Sequence, residues 1–203
     1  METVWTAHRF SGDALVLNVA NSVVLRNDPT RTFDRFEDPD EIARFAAAAE
    51  RFCAEEVGGR SLTVAEPAQA RPRVIALREA ADSLFRGQAS GGDVGSDLLA
   101  PLLGLCAQAL ASQPVALAGN RMGPKAGTGP IDFEAAVALS ALALIEPANR
   151  RRIRICANCA WLFLDRSKNG SRLWCDMSVC GNRRKAKRHY ERKRAATGGK
   201  AHV

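Results

Sequence analysis

Four of the chain's six cysteines lie in one short segment near its end, in two closely spaced pairs. Cys156 and Cys159 are separated by two residues, fifteen residues follow, and Cys175 and Cys180 are then separated by four. This spacing is typical of a tetrahedral thiolate site, in which each short turn places two sulfurs on one ion. Because four thiolates saturate zinc and leave no position for water, the pattern predicts one structural zinc ion. Disulfide bonds and free thiols are the alternatives.

The residues between the two cysteine pairs predict a β-hairpin. Residues 161–164 are apolar and strand-prone, Asn169-Gly170 is a strong tight-turn signal, and Leu173-Trp174 would return towards the second pair. Trp161 and Trp174 would then pack the hairpin. We find no secretory signal, so we expect a cytoplasmic protein, in which thiols stay reduced and metal binding is favoured over disulfides.

The segment that follows the last cysteine is strongly basic. Residues 181–194 contain eight lysines and arginines, one acid and no proline. The pattern predicts a helix that begins beside the metal, with Gly181 in a tight or left-handed turn and Asn182 as N-cap. Since positive charge covers nearly every face, such a helix repels itself unless it meets an acidic partner, most simply nucleic-acid phosphate. The preferred contacts are Arg183, Arg184, Lys187 and Arg188. A solvated basic tail is the alternative.

Charge is distributed unevenly along the 203 residues, whose net charge is +7. Residues 150–203 hold 16 lysines and arginines against 3 acids, whereas residues 1–149 hold 13 against 19. This asymmetry predicts an acidic helical domain, 1–149, followed by a basic nucleic-acid-binding domain, 150–203. The chain is long enough for one ordinary core with a small appended module.

The final segment resembles a known family, the CGNR zinc finger. The resemblance rests on Cys156, Cys159, Trp161-Leu162-Phe163-Leu164-Asp165, Ser167, Asn169, Arg172, Trp174-Cys175, Met177 and Cys180-Gly181-Asn182-Arg183. This finger usually ends a chain whose first part is the ABATE domain, described as a "putative stress-induced transcription regulator". The resemblance implies a zinc-dependent DNA-binding regulator whose metal ligands are the four cysteines of the two pairs.

The first part of the chain is similar to the ABATE domain in two places. The run from Leu15 to Leu25 resembles the signature LDFVNT that opens that domain, with Asn18 in place of its Asp and Val19 in place of its Phe. The order of helices, including the stretch at 77–80, also fits. Asn18 and Asn21 interrupt an apolar run and need partners, so we predict hydrogen bonds to nearby backbone that fix the segment. A small-molecule pocket is the alternative.

The hydrophobic pattern of the first 149 residues predicts a mainly α-helical fold with short β-strands. The predicted elements are a strand in residues 1–12, helices at 39–53, 73–88, 98–110 and 133–148, a strand at 114–117 and a flexible loop at 119–130. Asp38 and Asp132 are the predicted N-caps of the first and last of these helices. Cys53 and Cys106 fall in apolar helical stripes, which predicts buried structural side chains rather than ligands.

We find no pattern of an enzyme site in the sequence. The histidines His8, His189 and His202 are scattered, and no nucleophile–base pair or histidine–carboxylate metal spacing accompanies them. We therefore expect a protein that is not an enzyme, and we assign no chemistry to His8. The longest uncharged run, Ala135–Ile145, has eleven residues, far short of the about 20 that span a membrane, so we expect no membrane partner.

The predicted function is that of a zinc-dependent DNA-binding protein that regulates transcription. Binding to single-stranded RNA favours stacking aromatics, and the basic segment contains only Tyr190, so duplex DNA is the preferred partner. The alternative is a module that binds RNA or an acidic protein. Since one helix reads few base pairs, specific binding would favour a homodimer.

Overall fold

The computed structural model describes residues 3–111, 113, 115–118, 121–124 and 129–198. The helices are α1 (Leu15–Ala20), α2 (Asp40–Phe52), α3 (Pro67–Ala89), α4 (Ser96–Leu110), α5 (Phe133–Ile145), α6 (Pro147–Arg150) and α7 (Asn182–Gly198). The strands are β1 (Val23–Val24), β2 (Phe33–Asp34), β3 (Leu62–Thr63), β4 (Val115–Ala118), β5 (Arg121–Pro124), β6 (Ile131–Asp132), β7 (Ile153–Ile155) and β8 (Leu162–Leu164). The predicted fold class, a helical body followed by a small hairpin and a basic helix, is confirmed.

The described strands pair in twos and serve mainly to join helices. The pairs β1–β2, β4–β5 and β7–β8 are antiparallel, and β3–β6 is parallel with Leu62 opposite Ile131. Since β3 leads into α3 and β6 runs directly into α5, this parallel pair brings the beginnings of the two helices together. None of the helices described is both long and apolar enough to cross a membrane.

Helix α1 lies at the centre of the body. All of its side chains are buried, and it packs against α3 and α5. Asn18 accepts a hydrogen bond from the backbone N–H of Gly12 at 2.8 Å, which confirms the predicted backbone partner. A Cβ atom at Gly12 would lie only 2.6 Å from Asn18 Oδ1, so this contact requires glycine.

The predicted strand at the beginning of the chain is wrong. Residues Ala7–Phe10 form a 3₁₀ turn instead. The turn places Phe10 in an aromatic cluster, with ring centroids 4.9 Å from Phe45 and 5.0 Å from Phe52, and Trp5 lies 4.9 Å from Phe45. The near alternation of apolar residues therefore reflects burial of aromatic rings against α2 rather than pairing in a sheet.

Helix α3 begins at Pro67, six residues earlier than predicted, and it accommodates two prolines. Pro67 occupies the first turn of the helix, where its missing N–H has no intrahelical acceptor to lose. Pro72 lies inside the helix and leaves only one carbonyl, four residues earlier, without its usual donor. Burial of Ala70, Val74 and Leu77 along one face compensates for this loss.

Three further details of the body differ from the sequence prediction. Residues Arg121–Pro124 form β5 rather than part of a loop, whereas residues 114, 119, 120 and 125–128 lie outside the described part of the chain. Asp132 occupies the N-cap position of α5 without capping it, since its carboxylate accepts hydrogen bonds from the Thr63 hydroxyl at 3.0 Å and Gln113 Nε2 at 2.7 Å. Helix α5 ends at Ile145 because Pro147 forces Glu146 out of helical geometry.

Candidate metal centre and nucleic-acid interface

The first cysteine pair lies in the turn of the β7–β8 hairpin. Ile153 faces Leu164, and Ile155 faces Leu162 across the two strands. Cys156 follows β7 directly, and its backbone N–H donates to the carbonyl of Trp161 at 2.8 Å. The Ala160 N–H donates back to the carbonyl of Cys156 at 2.9 Å. The hairpin is therefore real, but it flanks Cys156 and Cys159 instead of separating the two pairs as the sequence predicted.

The second cysteine pair is brought to the first by an extended return segment and a single helical turn. The N–H of Ala157 donates to the carbonyl of Leu173 at 3.0 Å, which places Cys175 beside the hairpin turn. Asp176 then caps the π turn Met177–Gly181, accepting hydrogen bonds from the backbone N–H groups of Ser178 at 2.7 Å and Val179 at 3.2 Å. Cys180 is buried in this turn, which continues without a break into α7.

Two predictions about the beginning of α7 are wrong. Asn182 does not cap the helix, because its side-chain amide donates to the Ser178 carbonyl one turn earlier, and Asp176 provides the cap instead. Gly181 does not form a left-handed turn but lies in the helical turn itself. A Cβ atom at this position would lie 2.4 Å from the sulfur of the exposed Met177 side chain, which would have to move to make room for it.

The four sulfur atoms have the spacing of a tetrahedral metal site. All of them lie within 4.8 Å of one another, with Cys159 Sγ 3.6 Å and Cys180 Sγ 3.7 Å from Cys175 Sγ. A zinc ion with bonds of about 2.3 Å to four sulfurs would give sulfur–sulfur distances of about 3.8 Å. The site is buried except for the half-buried Cys159. The four cysteines therefore fit one structural zinc ion, as predicted.

Hydrogen bonds among the cysteines shift the pKa values of three of the four thiols. The pKa of Cys156 is lowered by hydrogen bonds with Cys159 and Cys175, whereas the pKa of Cys159 is raised by its hydrogen bonds with Cys156 and Cys175. The pKa of Cys175 is raised to about 12, chiefly by its hydrogen bond with Cys156. A dication bound among the four sulfurs would stabilise all of them as thiolates.

The two remaining cysteines are kept apart from this chemistry. Cys53 lies at the end of α2, where burial raises its pKa to about 12, and Cys106 lies in α4, where burial raises its pKa to about 11. Both side chains belong to the core of the body. The prediction that they are structural and not metal ligands agrees with their positions.

Comparison with known proteins places both parts of the chain in families. Residues 152–193 match the CGNR zinc finger. Residues 13–147, well over half of the 203 residues, match the ABATE family, described as a "putative stress-induced transcription regulator". The chain belongs to the ABATE family. Both family resemblances seen in the sequence are confirmed, and both families are of non-enzymatic kinds. No curated protein matches the chain.

One face of the CGNR hairpin packs into the ABATE body. Ile153, Leu162 and Leu164 belong to the same buried core as α1, α3 and α5. Asn21, just after α1, binds the backbone of Leu162 twice: its Nδ2 donates to the carbonyl, and its Oδ1 accepts from the N–H, both at 2.9 Å. Asn21 thus has a backbone partner, but one 141 residues away rather than nearby. Arg86 of α3 adds a bond to the Ala160 carbonyl at 2.9 Å.

The opposite face of the hairpin covers the metal centre. Trp161 and Phe163 form a small cluster with the buried cysteines, and Trp174 packs against it. Arg172 lies 5.1 Å above the Phe163 ring, donates to the carbonyl of the ligand Cys175, and pairs with Asp13 of the body at 2.8 Å. This one side chain therefore connects the metal centre with the residues that precede α1.

Sequence reasoning missed the role of His8. Its Nδ1 lies 2.9 Å from Asp176 Oδ2, and its ring stacks on Trp161 with centroids 5.5 Å apart. His8 therefore connects the body to the carboxylate that caps the turn before α7. No local signal could have indicated this contact, since 168 residues separate the two partners.

Helix α7 presents its charges to solvent. Arg183, Lys187 and Arg188 are exposed and Arg184 is half-buried. Lys187 forms an ion pair with Glu191 one turn later, at 4.0 Å, and Arg194 lies 6.0 Å above the ring of Tyr190. The four preferred nucleic-acid contacts are therefore reachable from solvent, and their role stays a prediction.

The alternative of a small-molecule pocket at Asn18 and Asn21 finds no support in their surroundings. Both side chains are buried and hydrogen-bonded. A cavity of about 340 Å³ lies instead between α3, α4 and the beginning of α5. Two of the charged side chains that line this cavity are already paired, since Arg73 donates two hydrogen bonds of 2.8 Å to the Glu134 carboxylate.

Proposed function

We propose that this chain is a zinc-dependent DNA-binding protein that regulates transcription, with α7 as the element that contacts DNA. The observation that carries the proposal is the position of Cys180, a predicted zinc ligand inside the turn that runs directly into α7. Zinc bound there would fix the direction in which the basic helix leaves the body. Such a module is small, so the binding energy of the metal would serve as its folding energy.

Charge supports nucleic acid as the partner. Residues 150–203 hold 16 basic residues against 3 acids, and the described part of α7 offers most of its basic side chains to solvent. Phosphates would neutralise a helix that otherwise repels itself, with release of counterions. We propose Arg183, Arg184, Lys187 and Arg188 as the contacts, because they lie in the first two turns, nearest the metal centre.

Duplex DNA fits this helix better than single-stranded RNA. The major groove of DNA accommodates an α-helix, whereas recognition of single strands relies on aromatic side chains that stack on bases. Tyr190 is exposed, but the guanidinium of Arg194 already lies over its ring. An RNA-binding or acidic-protein-binding module is the second candidate, favoured by the basic charge alone.

The proposal is tested by fluorescence anisotropy of the zinc-loaded protein with duplex DNA across a salt series. Four to six phosphate contacts would give a slope of log affinity against log salt of about −4 to −5. Replacing both Arg183 and Arg184 with Gln should reduce the steepness by about 1.8 if each contacts one phosphate. The matched control, Arg31→Gln with Arg73→Gln, removes the same charge from arginines that pair with Asp28 and Glu134, and should leave the slope unchanged.

Three outcomes would contradict the proposal. These are an affinity for DNA that does not depend on salt, no binding at low salt with zinc present, and equal effects of the test and control variants. Tighter binding to single-stranded RNA than to the duplex would favour the second candidate.

A further inference from the structure

Two arginines of the ABATE body lie beside the finger on an aromatic platform. Arg35, in the segment after β2, has its guanidinium carbon 5.7 Å from the ring of Trp161 and 5.9 Å from that of Trp5. Arg9, in the 3₁₀ turn, lies 5.8 Å from the same Trp5 ring. Both arginines are half-buried. Stacking on a ring face leaves the edge N–H groups of a guanidinium free to bind an anion.

Neither arginine has a carboxylate at ion-pair distance within the described part of the chain. The hydrogen bond recorded for the Arg35 side chain is to the backbone carbonyl of Asn21, at 3.3 Å. Glu41 is the carboxylate whose charge reaches both, but its oxygens accept hydrogen bonds from the Thr3 N–H at 2.8 Å and Trp5 Nε1 at 2.9 Å. The two positive charges are therefore close enough to repel each other, and neither is held in an ion pair in the described part of the chain.

Burial and mutual repulsion both disfavour the charge on Arg35. Burial, and to a smaller extent repulsion by Arg9, together lower the pKa of Arg35 to about 10, against the opposing attraction of Glu41. Burial likewise lowers the pKa of Arg9. Both groups remain charged at neutral pH, and an anion placed between them would relieve the repulsion and replace the lost solvation.

The position of this pair relative to the finger suggests which anion it binds. Arg35 lies over Trp161, which packs around the metal centre, and Arg9 directly follows His8, whose ring bonds Asp176 at 2.9 Å. Asp176 caps the turn from which α7 emerges. The pair is thus connected, through Trp161 and His8, to the turn from which α7 emerges.

We propose that Arg9 and Arg35 form a second phosphate-binding site, on the ABATE body, which holds the DNA backbone next to the stretch contacted by α7. The inference rests on the proposed DNA-binding function. It assigns the body a direct part in binding, in addition to its support of the finger. Since phosphates are the same in every sequence, the site contributes affinity and register rather than base specificity.

The test compares Arg9→Gln/Arg35→Gln with the wild type by anisotropy across the same salt series. Losing two phosphate contacts should reduce the steepness of the salt slope by about 1.8 and weaken binding at about 0.1 M salt on the order of tenfold to sixtyfold. The loss should be equal for all duplex sequences. The control Arg31→Gln/Arg73→Gln removes the same net charge from arginines that already face carboxylates, and should leave both quantities unchanged.

Because Arg35 packs against Trp161, zinc content is measured on each variant. If the double variant loses zinc, the single variant Arg9→Gln tests the proposal instead, since Arg9 lies over the ring of Trp5, which is not part of the finger. This variant should reduce the steepness of the salt slope by about 0.9. Arg35→Lys keeps the charge and should retain most of the slope, which a purely structural role of Arg35 would not predict.

The outcomes separate this inference from the function on which it rests. If the wild type does not bind DNA at low salt with zinc, the proposed function fails and the second site fails with it. If the wild type binds with a steep salt slope and the zinc-loaded double variant has the same slope and affinity, only the second site is refuted. An equal loss in the control variants would also refute it, because the effect would then be one of net charge.

Discussion

Replacing Asn21 with Ala should strongly destabilise the folded protein. The change removes two hydrogen bonds of 2.9 Å and leaves the N–H and carbonyl of Leu162, which is buried in the shared core, without partners. Each buried polar group left unpaired costs about 1–3 kcal/mol, so the two together should lower the free energy of unfolding by about 2–6 kcal/mol. Domains of this size have a total of roughly 5–15 kcal/mol, so the effect is large.

Urea denaturation of the zinc-loaded protein, followed by circular dichroism, measures this loss. Asn27→Ala is the matched control, because Asn27 is exposed in the same part of the chain and should change stability by less than about 0.5 kcal/mol. Asn21→Asp should not rescue the protein, since it would place a carboxylate oxygen against the Leu162 carbonyl. A loss below about 0.5 kcal/mol for Asn21→Ala would refute the reasoning, because it would mean that the two bonds do not hold the hairpin to the body.

Two further predictions concern the metal and the acid stability. Elemental analysis should find one zinc ion per chain, lost in Cys175→Ala and retained in Cys106→Ala, because only the former sulfur belongs to the cluster; zinc retained in both would contradict the assignment. Asp34→Asn should flatten the fall in stability with acid between pH 6 and 2. Burial would raise the pKa of Asp34, but the hydrogen bonds that Arg78 donates to it, and the positive charge of Arg78, lower the pKa below its ordinary value. The pair therefore stabilises the protein at pH values above the ordinary Asp pKa of about 3.9, and this stabilisation is lost as the pH falls. Thermal unfolding across this pH range measures it, and equal slopes for variant and wild type would argue against the pair.

The metal site was predictable because its information is local. Cysteine spacing alone identified all four sulfurs, which meet within 4.8 Å. The hairpin was misplaced although its signals were present. The turn at Gly170 exists, with a φ of 58°, but Ile153-Arg154-Ile155 before the first pair also alternates and forms the strand that pairs with β8. Two segments therefore could have paired with β8, Ile153–Ile155 and Leu173-Trp174, and the one closer to β8 in the sequence forms the hairpin.

The contacts that join the finger to the body could not have been predicted in this way. The bonds from His8 to Asp176, from Asn21 to Leu162 and from Arg172 to Asp13 each span more than 140 residues. Periodicity and turn chemistry describe neighbours along the chain, whereas these bonds depend on how α1 and the hairpin meet in the shared core. The His8 side chain likewise finds its partner far along the chain, so its bond to Asp176 could not be predicted.

The division into domains 1–149 and 150–203 remains a proposal, and the packing across it bears on how the protein would bind DNA. Burial of Ile153, Leu162 and Leu164 in the core of the body attaches the hairpin rigidly, and the metal ligands then attach α7 to the hairpin. The body's excess of acidic residues could compete with phosphate for a basic helix on a flexible linker. Held in this way, α7 keeps its Arg183, Lys187 and Arg188 exposed to solvent. Rigid attachment would thus leave an acidic body and a basic helix compatible in one chain.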